Sequence, residues 1–580
     1  MNVYAWGILV SILVYLTVGN WSGRKVRQLD DYFVAGRQAP TLLIVGTLVA
    51  SLLSTTAFLG EVGVAYSGFG ALLLILVVVN ISGYVSGALL FGRHLRRSRA
   101  LTVAEFFGRR FDSRRVQAAA GVTIIIGLGS YLVAVTQGAA LVITQVSDMP
   151  YSWALVMVWA GYTLFTLNAG SRGVIITDTM MFVLFSLVSF VALFFIISSS
   201  GSWFDVIHRL ADYAAKPGII SWHGATRPGA TWETPAAGFT WALILGFAWA
   251  LVVAVSPWQA SRYLMAKDEH TVLRAACGAS MAIMAFYPVL MLSGAAINLA
   301  NPDVQPAERA MLWAALNLMP KPAGVLLMAG IIAAALSSST TFLSLVGFSA
   351  SHDLLRFRAM REGARLRVSR LAMLGVSLLA LALTLAIPPR IFWITYFAGT
   401  VFASSWGPVA LMSVWSRRIT ASGAFWGIVV GFVGNVIPKA LDMLGVIDLP
   451  VWADPILIGA LVSTIAILLV SRRGQVRDAE RRFQASLHVA PDYPDAPARM
   501  RVTRRWTLYM LVTGIILSVL LLVFWALPFA AAERGQATLF SGESLLALCW
   551  GAVLVLGGLV LRIYLRQGSQ AGETQIEEDA

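Results

Sequence analysis

The sequence predicts an all-α polytopic membrane protein with about fifteen transmembrane helices, and three observations carry that prediction. The first is composition: 58% of the 580 residues are hydrophobic and 12% charged, with a mean hydropathy of +0.76, whereas a soluble domain carries about 25% charged residues. The second is the length of the apolar runs, which repeatedly reach the roughly 20 residues needed to cross a hydrocarbon layer about 30 Å thick. The third is the placement of the basic residues between those runs. Little chain is left for a soluble catalytic domain, so any chemistry must lie between helices.

In chain order the predicted spans lie near 3–20, 41–66, 70–92, 117–145, 151–170, 174–199, 236–258, 271–298, 322–350, 368–387, 391–415, 420–440, 451–471, 507–530 and 542–564. No charge precedes the first run and Arg24, Lys25 and Arg27 follow it, the reverse of a cleavable signal peptide. It is therefore expected to stay as a helix, with the N-terminus outside and the C-terminus cytosolic. With that orientation 35 of the 43 Lys and Arg fall on the cytosolic side. The positive-inside rule then accounts for the net charge of +14 without an anionic partner, so membrane lipid is an expected partner and nucleic acid is not.

The expected layout is a core of about thirteen spans over 1–471, a cytosolic basic linker at 472–506, two additional transmembrane helices at 507–566 and a disordered cytosolic tail at 567–580. The outer segment 200–235 is rich in aromatics and suits short interfacial helices. The linker fits either an amphipathic helix on the inner leaflet or a solvated connector, and its Arg, Pro and Asp content favours the connector. Cys277 and Cys549 lie in apolar stretches without CxxC spacing and read as core thiols. None of the six His pairs at metal-ligand spacing and no GxxxxGK[ST] loop occurs, so neither an enzyme nor an organic cofactor is expected.

A charge inside the bilayer costs about 2.5–3.5 kcal/mol on insertion scales, so each one needs a reason. Asp178 in the sixth span lies close in sequence to Arg172 and fits either a helix-end ion pair or a step on an ion path to the cytoplasm. Glu61, in the outer half of the second span, fits a buried partner for an amide or Arg, or a group of the substrate or gating region. The second span also carries Ser51, Ser54, Thr55 and Thr56 at mid-membrane, followed by Gly60 and Gly63. Such a run weakens the helix, and unwound backbone at that depth is tolerated where it lines a cavity. A second hydroxyl cluster, Ser337 to Thr341, stands in the ninth span. Together the clusters fit an oxygen-lined pocket for a small hard cation, or hydroxyls bonded back to their own helices.

Seven motifs in order, "DDYFVAGRQAP", "LVASLLSTTAFLGEVGVAYSGFG", "LTVAEFFGRRF", "GVIITDTMMF", "QASRYLMAKDE", "GIIAAALSSSTTFLSLVGFSASHDLL" and "FASSWGPVALMSVWSRRITASGAFWGIVVG", resemble the sodium:solute symporter family over residues 1–471. The resemblance implies a leucine-transporter-type core of two inverted five-helix repeats, spans two to six and seven to eleven. It implies a sodium site built from the carbonyls of Ala50, Leu53 and Ala334 and the hydroxyls of Ser337 and Ser338. Asp178 falls on the aspartate of a "TD" motif linked to sodium movement, although the usual glutamine three positions on is Met181 here. Sodium would be the coupling ion and the only metal.

Substrate is expected near the midplane between the broken regions. Ser54, Thr56, Ala57 and Glu61 on the second span, Gln137 on the fourth, Trp249 on the seventh, and Ser404, Ser405 and Trp406 on the eleventh are the candidate lining. The third span carries no acidic residue where sugar-transporting relatives have one, which argues against a hexose. A small amino acid, monocarboxylate or similar metabolite fits better, and no clear mid-membrane Arg offers itself to a carboxylate. The leading expectation is a sodium-coupled symporter importing a small organic solute across the cytoplasmic membrane. A proton-coupled symporter of the same fold and a transporter-like sensor are the alternatives. One sodium crossing about 100 mV releases about 2.3 kcal/mol and a tenfold gradient adds about 1.4, enough for roughly 500-fold accumulation of a neutral solute.

Overall fold

The computed structural model describes residues 3–23, 29–355, 362–388, 391–491, 493 and 495–578. Of the basic residues counted above, Arg24, Lys25, Arg27, Arg356, Arg358, Arg361 and Arg390 lie outside them. Secondary structure among the described residues is helical apart from one isolated bridge, Ala39 to Ala266. Among the described residues, twelve helices are long and apolar enough to cross a membrane, and three shorter apolar ones, Val3–Gly19, Thr41–Leu52 and Tyr151–Leu167, accompany them. These three fall on the first, second and fifth expected spans; Thr41–Leu52 is short because the second span breaks at Leu53.

Breaks in the helices position the interior. The helix Thr41–Leu52 stops at Leu53, whose ψ of 87° leaves the helical region, and Ser54 N–H turns back to Leu52 O at 3.1 Å. The chain resumes as a wide turn over Thr56–Glu61. Gly68, at φ +105°, bends it again before the third span, and a Cβ there would stand 2.6 Å from that of Ala225. A second interruption divides the seventh span: Pro235–Val255 ends at Ser256 in extended conformation, and Pro257–Met265 follows with all nine residues buried. Pro257 supplies no N–H to the preceding helix, which accounts for the break.

The outer segment contains the expected short helix, Trp203–Ala211, closed by a capping box between Ser202 and Asp205. Most of the described stretch after 471 is exposed, and one short helix in it packs on the core. Helix Asp478–Ser486 docks on the core with Glu480 and Gln484 buried. Arg110, fully buried, donates from Nε to Ser413 O at 2.6 Å and from Nη1 to Glu480 O at 3.3 Å, while Gln484 Nε2 donates to Val414 O at 2.8 Å. Paired guanidinium and carbonyl groups let this polar segment pack where its composition suggested solvent. Beyond it, Ala496–Leu521 and Gly542–Glu578 cross at Gly514 and Gly551, where a Cβ on either would meet the other's carbonyl oxygen within 2.6 Å. Cys277 is buried as expected, whereas Cys549 is exposed on the outer surface of the last helix.

On the same face as Arg110, the helix Val103–Arg110 begins with a reciprocal cap. Thr102 Oγ1 accepts from Glu105 N at 2.9 Å, and Glu105 Oε2 accepts from Leu101 N at 2.7 Å. Arg109 Nε donates to Glu105 Oε1 at 2.8 Å and His352 Nε2 stands 3.2 Å from Oε2. Burial alone would raise this carboxyl, but His352, the Leu101 N–H and Arg109 outweigh it and hold the group down at about 2. A depressed carboxyl contributes stability above its ordinary range and loses it as pH falls through the folded value. Thermal melts should therefore separate wild type from Glu105→Gln at pH 7, draw together below about pH 4.5 and converge only as the pH falls to about 2.

Candidate functional site

The two hydroxyl clusters meet at the first break. Ser337 Oγ donates to Ala50 O at 3.0 Å and lies equally close to Ala334 O, and Ser338 Oγ stands 3.4 Å from Ala50 O. All of these residues and Leu53 are fully buried. Since Ser54 N–H has turned to Leu52 O, the carbonyl at position 50 is freed from its regular helical partner and faces the ninth span. Buried neutral oxygens this close together suit one small hard cation. Back-bonding within the ninth span occurs as well, since Thr340 Oγ1 donates to Ser337 O at 3.0 Å.

About one helical turn further along the same two helices lies an ion pair that the sequence places elsewhere. Asp178 is fully buried and pairs with Arg262, not with Arg172: Oδ2 accepts from Thr47 Oγ1 at 2.6 Å and from Arg262 Nη2 at 3.3 Å. Arg262 also donates to Thr341 Oγ1. Thr47 precedes Ala50 and Thr341 follows Ser337 by a turn, so the pair abuts the cation-site oxygens. Arg262 lies in the helix Pro257–Met265, so the seventh span does not end at 258 as expected. Next to it Gln259 Nε2 reaches Leu48 O at 3.3 Å and Ser51 Oγ at 3.4 Å. The signal that could have found both side chains is Pro257, which makes 257–265 a second helix segment rather than a loop.

On the other side of the break is a cavity of about 30 Å³ lined by Thr56, Glu61, Asn80, Tyr131, Trp249, Tyr287, Phe392, Thr395 and Tyr396, with leucines and valines completing the wall. Thr56 Oγ1 and Thr395 Oγ1 are 2.9 Å apart across it. Tyr131 faces Ser54 and Thr56, and Glu61 faces Tyr287. The second carboxylate oxygen of Glu61 and the side-chain oxygen of Asn80 are buried without a partner. Asn80, Tyr287 and Tyr396 are additions to the expected lining.

The remaining candidates sit apart from this cavity. Ala57 is buried in the wide turn behind Ser54, and Gln137 Nε2 is committed to Ile387 O at 2.7 Å. Ser404 accepts from Asn435 Nδ2 at 3.0 Å, Ser405 bonds back to Val401 O at 2.6 Å, and Trp406 Nε1 donates to Thr123 Oγ1 at 2.8 Å. A larger cavity of about 580 Å³ lies between the core and the helix Ala496–Leu521 with its continuation to Trp525, lined by Leu193, Val289, Leu292, Leu520 and Phe524 among others. Its lining contains no ionisable group, so it has none of the chemistry of the smaller one.

The family model for the sodium:solute symporter family matches residues 32–431. The chain is 24% identical to the sodium/proline symporter of Escherichia coli (strain K12), covering 83% of this chain and 97% of that protein. It is also 24% identical to the sodium/pantothenate symporter of the same organism, covering 77% and 91%. Among solved structures, a Na+-coupled sialic acid symporter in a substrate-bound outward-open state aligns with TM-score 0.68 at 17% identity, over 82% of this chain and 99% of that one. A nucleobase-cation-symport-1 family transporter in a closed conformation aligns with TM-score 0.51 at 13% identity, over 78% and 98%. The fold is of the leucine-transporter type.

Proposed function

From the fact that the chain belongs to the sodium:solute symporter family, and is a multi-pass sodium-coupled symporter of a small organic solute rather than an enzyme, we propose the following assignment of its parts. Sodium binds the carbonyls of Ala50, Leu53 and Ala334 and the hydroxyls of Ser337 and Ser338. The observation that carries this reading is the approach of Ser337 Oγ to both Ala50 O and Ala334 O at 3.0 Å, exactly one oxygen bridging two helices at the break. The solute occupies the cavity bounded by Thr56, Glu61 and Trp249. Asp178 lies on the route by which sodium leaves to the cytoplasm.

The N-terminus is outside, the C-terminus is cytosolic, and the membrane is the cytoplasmic one, as the distribution of basic residues supports. Residues 1–471 form the transporting core, 472–506 connect it on the cytosolic side, 507–566 add two transmembrane helices, and 567–580 form the tail. Uptake into sealed vesicles under an inward sodium gradient tests the coupling. Replacing sodium by potassium at constant pH should abolish accumulation, whereas accumulation that follows an imposed pH gradient in potassium would favour proton coupling instead.

A further inference from the structure

The cavity beside the break has an uneven chemistry. Among the described residues, Glu61 is its single carboxylate, and no Lys, Arg or His lines it. The buried arginine nearest in kind, Arg262, is engaged with Asp178 elsewhere. Glu61 faces Tyr287, and one of its carboxylate oxygens and the side-chain oxygen of Asn80 are buried without a hydrogen-bond partner. Aromatic side chains supply much of the remaining wall: Tyr131, Trp249, Tyr287, Phe392 and Tyr396.

Each feature selects among ligands. Unpartnered buried acceptors call for a ligand that brings donors, and an ammonium offers up to three. Aromatic faces attract a cationic nitrogen through their quadrupoles, and cages of such rings recognise quaternary ammonium groups. An anionic solute would instead place a second negative charge beside Glu61 with no basic side chain to offset it.

We propose that this cavity is a nitrogen-binding subsite and that the transported solute carries a cationic nitrogen, held by Glu61 and the surrounding rings. This rests on the reading of the chain as a symporter whose solute lies in that cavity. At about 30 Å³ the space admits a head group and no complete solute. The rest of the solute therefore needs the helix Ile391–Trp415, which carries Thr395 and Tyr396, to move away.

The test is uptake by the full-length protein in proteoliposomes under a sodium gradient, with labelled choline, glycine betaine, proline and ethanolamine set against acetate, lactate and glycerol. The expected result is accumulation of at least one nitrogen-bearing probe, with half-saturation raised roughly 30-fold or more by Glu61→Gln and little changed by Glu61→Asp. Trp249→Leu should weaken the same probe, and sodium-dependent thermal stabilisation of each variant reports that it is folded. Uptake confined to acetate, lactate or glycerol, no uptake of any nitrogen-bearing probe, or a nitrogen-bearing probe indifferent to folded Glu61→Gln would each overturn the proposal. Accumulation of a nitrogen-bearing probe that persists in potassium would instead overturn the sodium coupling and leave the subsite standing. Sodium-driven uptake of lactate, unchanged in Glu61→Gln, would do the reverse.

Discussion

Ser337→Ala should raise the sodium concentration for half-maximal uptake by roughly 10- to 100-fold, the equivalent of losing about 1.5–3 kcal/mol of interaction with a charged group. Its hydroxyl stands 3.0 Å from the carbonyl oxygens of both Ala50 and Ala334, so its removal takes one ligand from a set made only of neutral oxygens. Ser338 approaches Ala50 O at 3.4 Å, and Ser338→Ala should have the smaller effect. Maximal uptake at saturating sodium should fall less than the apparent affinity, because the break that exposes the carbonyls lies in another helix. Uptake measured against sodium concentration decides the matter. If Ser337 serves only to bond back to Ala334 O, the variant will show an unchanged sodium dependence and a modest loss of thermal stability.

Much of the fold could be read from the sequence because a bilayer requires every backbone polar group to be satisfied internally, which leaves long apolar helices as nearly the sole solution. The first break was legible for a related reason: Ser54, Thr55 and Thr56 at mid-membrane supply the local hydrogen bonds that unwinding needs, and Thr56 N–H does take Ser54 Oγ at 3.1 Å. What could not be read was the register of one helix against another. Ser404, Ser405 and Trp406 form a polar cluster in an apolar helix, yet Asn435 and Thr123 on neighbouring helices claim two of them. Nothing in the spacing of Tyr287 and Tyr396 reports that they line one cavity with Glu61. Arg262 could not be read as the partner of Asp178, because a charge beside a loop and a charge buried against a distant carboxylate look alike along one chain.

That buried pair yields the second large effect. Asp178→Leu strands the Arg262 guanidinium in a fully buried site, where breaking an ion pair from one side costs about 3–5 kcal/mol, and Thr341 offers it only a hydroxyl. The variant should lose thermal stability heavily and transport nothing. Replacing both partners, Asp178→Leu with Arg262→Met, removes the stranded charge and should restore most of the stability, since apolar residues of similar volume commonly replace buried pairs at little cost. The two possible roles of the pair then separate in the double variant. If Asp178 is a step on the route of sodium, the double variant folds but its uptake stays impaired, with slowed release of sodium to the cytosolic side. If the pair only joins Thr47 of the broken second span to Thr341 of the ninth, the double variant transports with near wild-type sodium dependence. Melting curves of the purified variants, taken together with sodium-dependent uptake, distinguish these outcomes, and recovery of stability without recovery of flux would place the carboxylate on the ion's path.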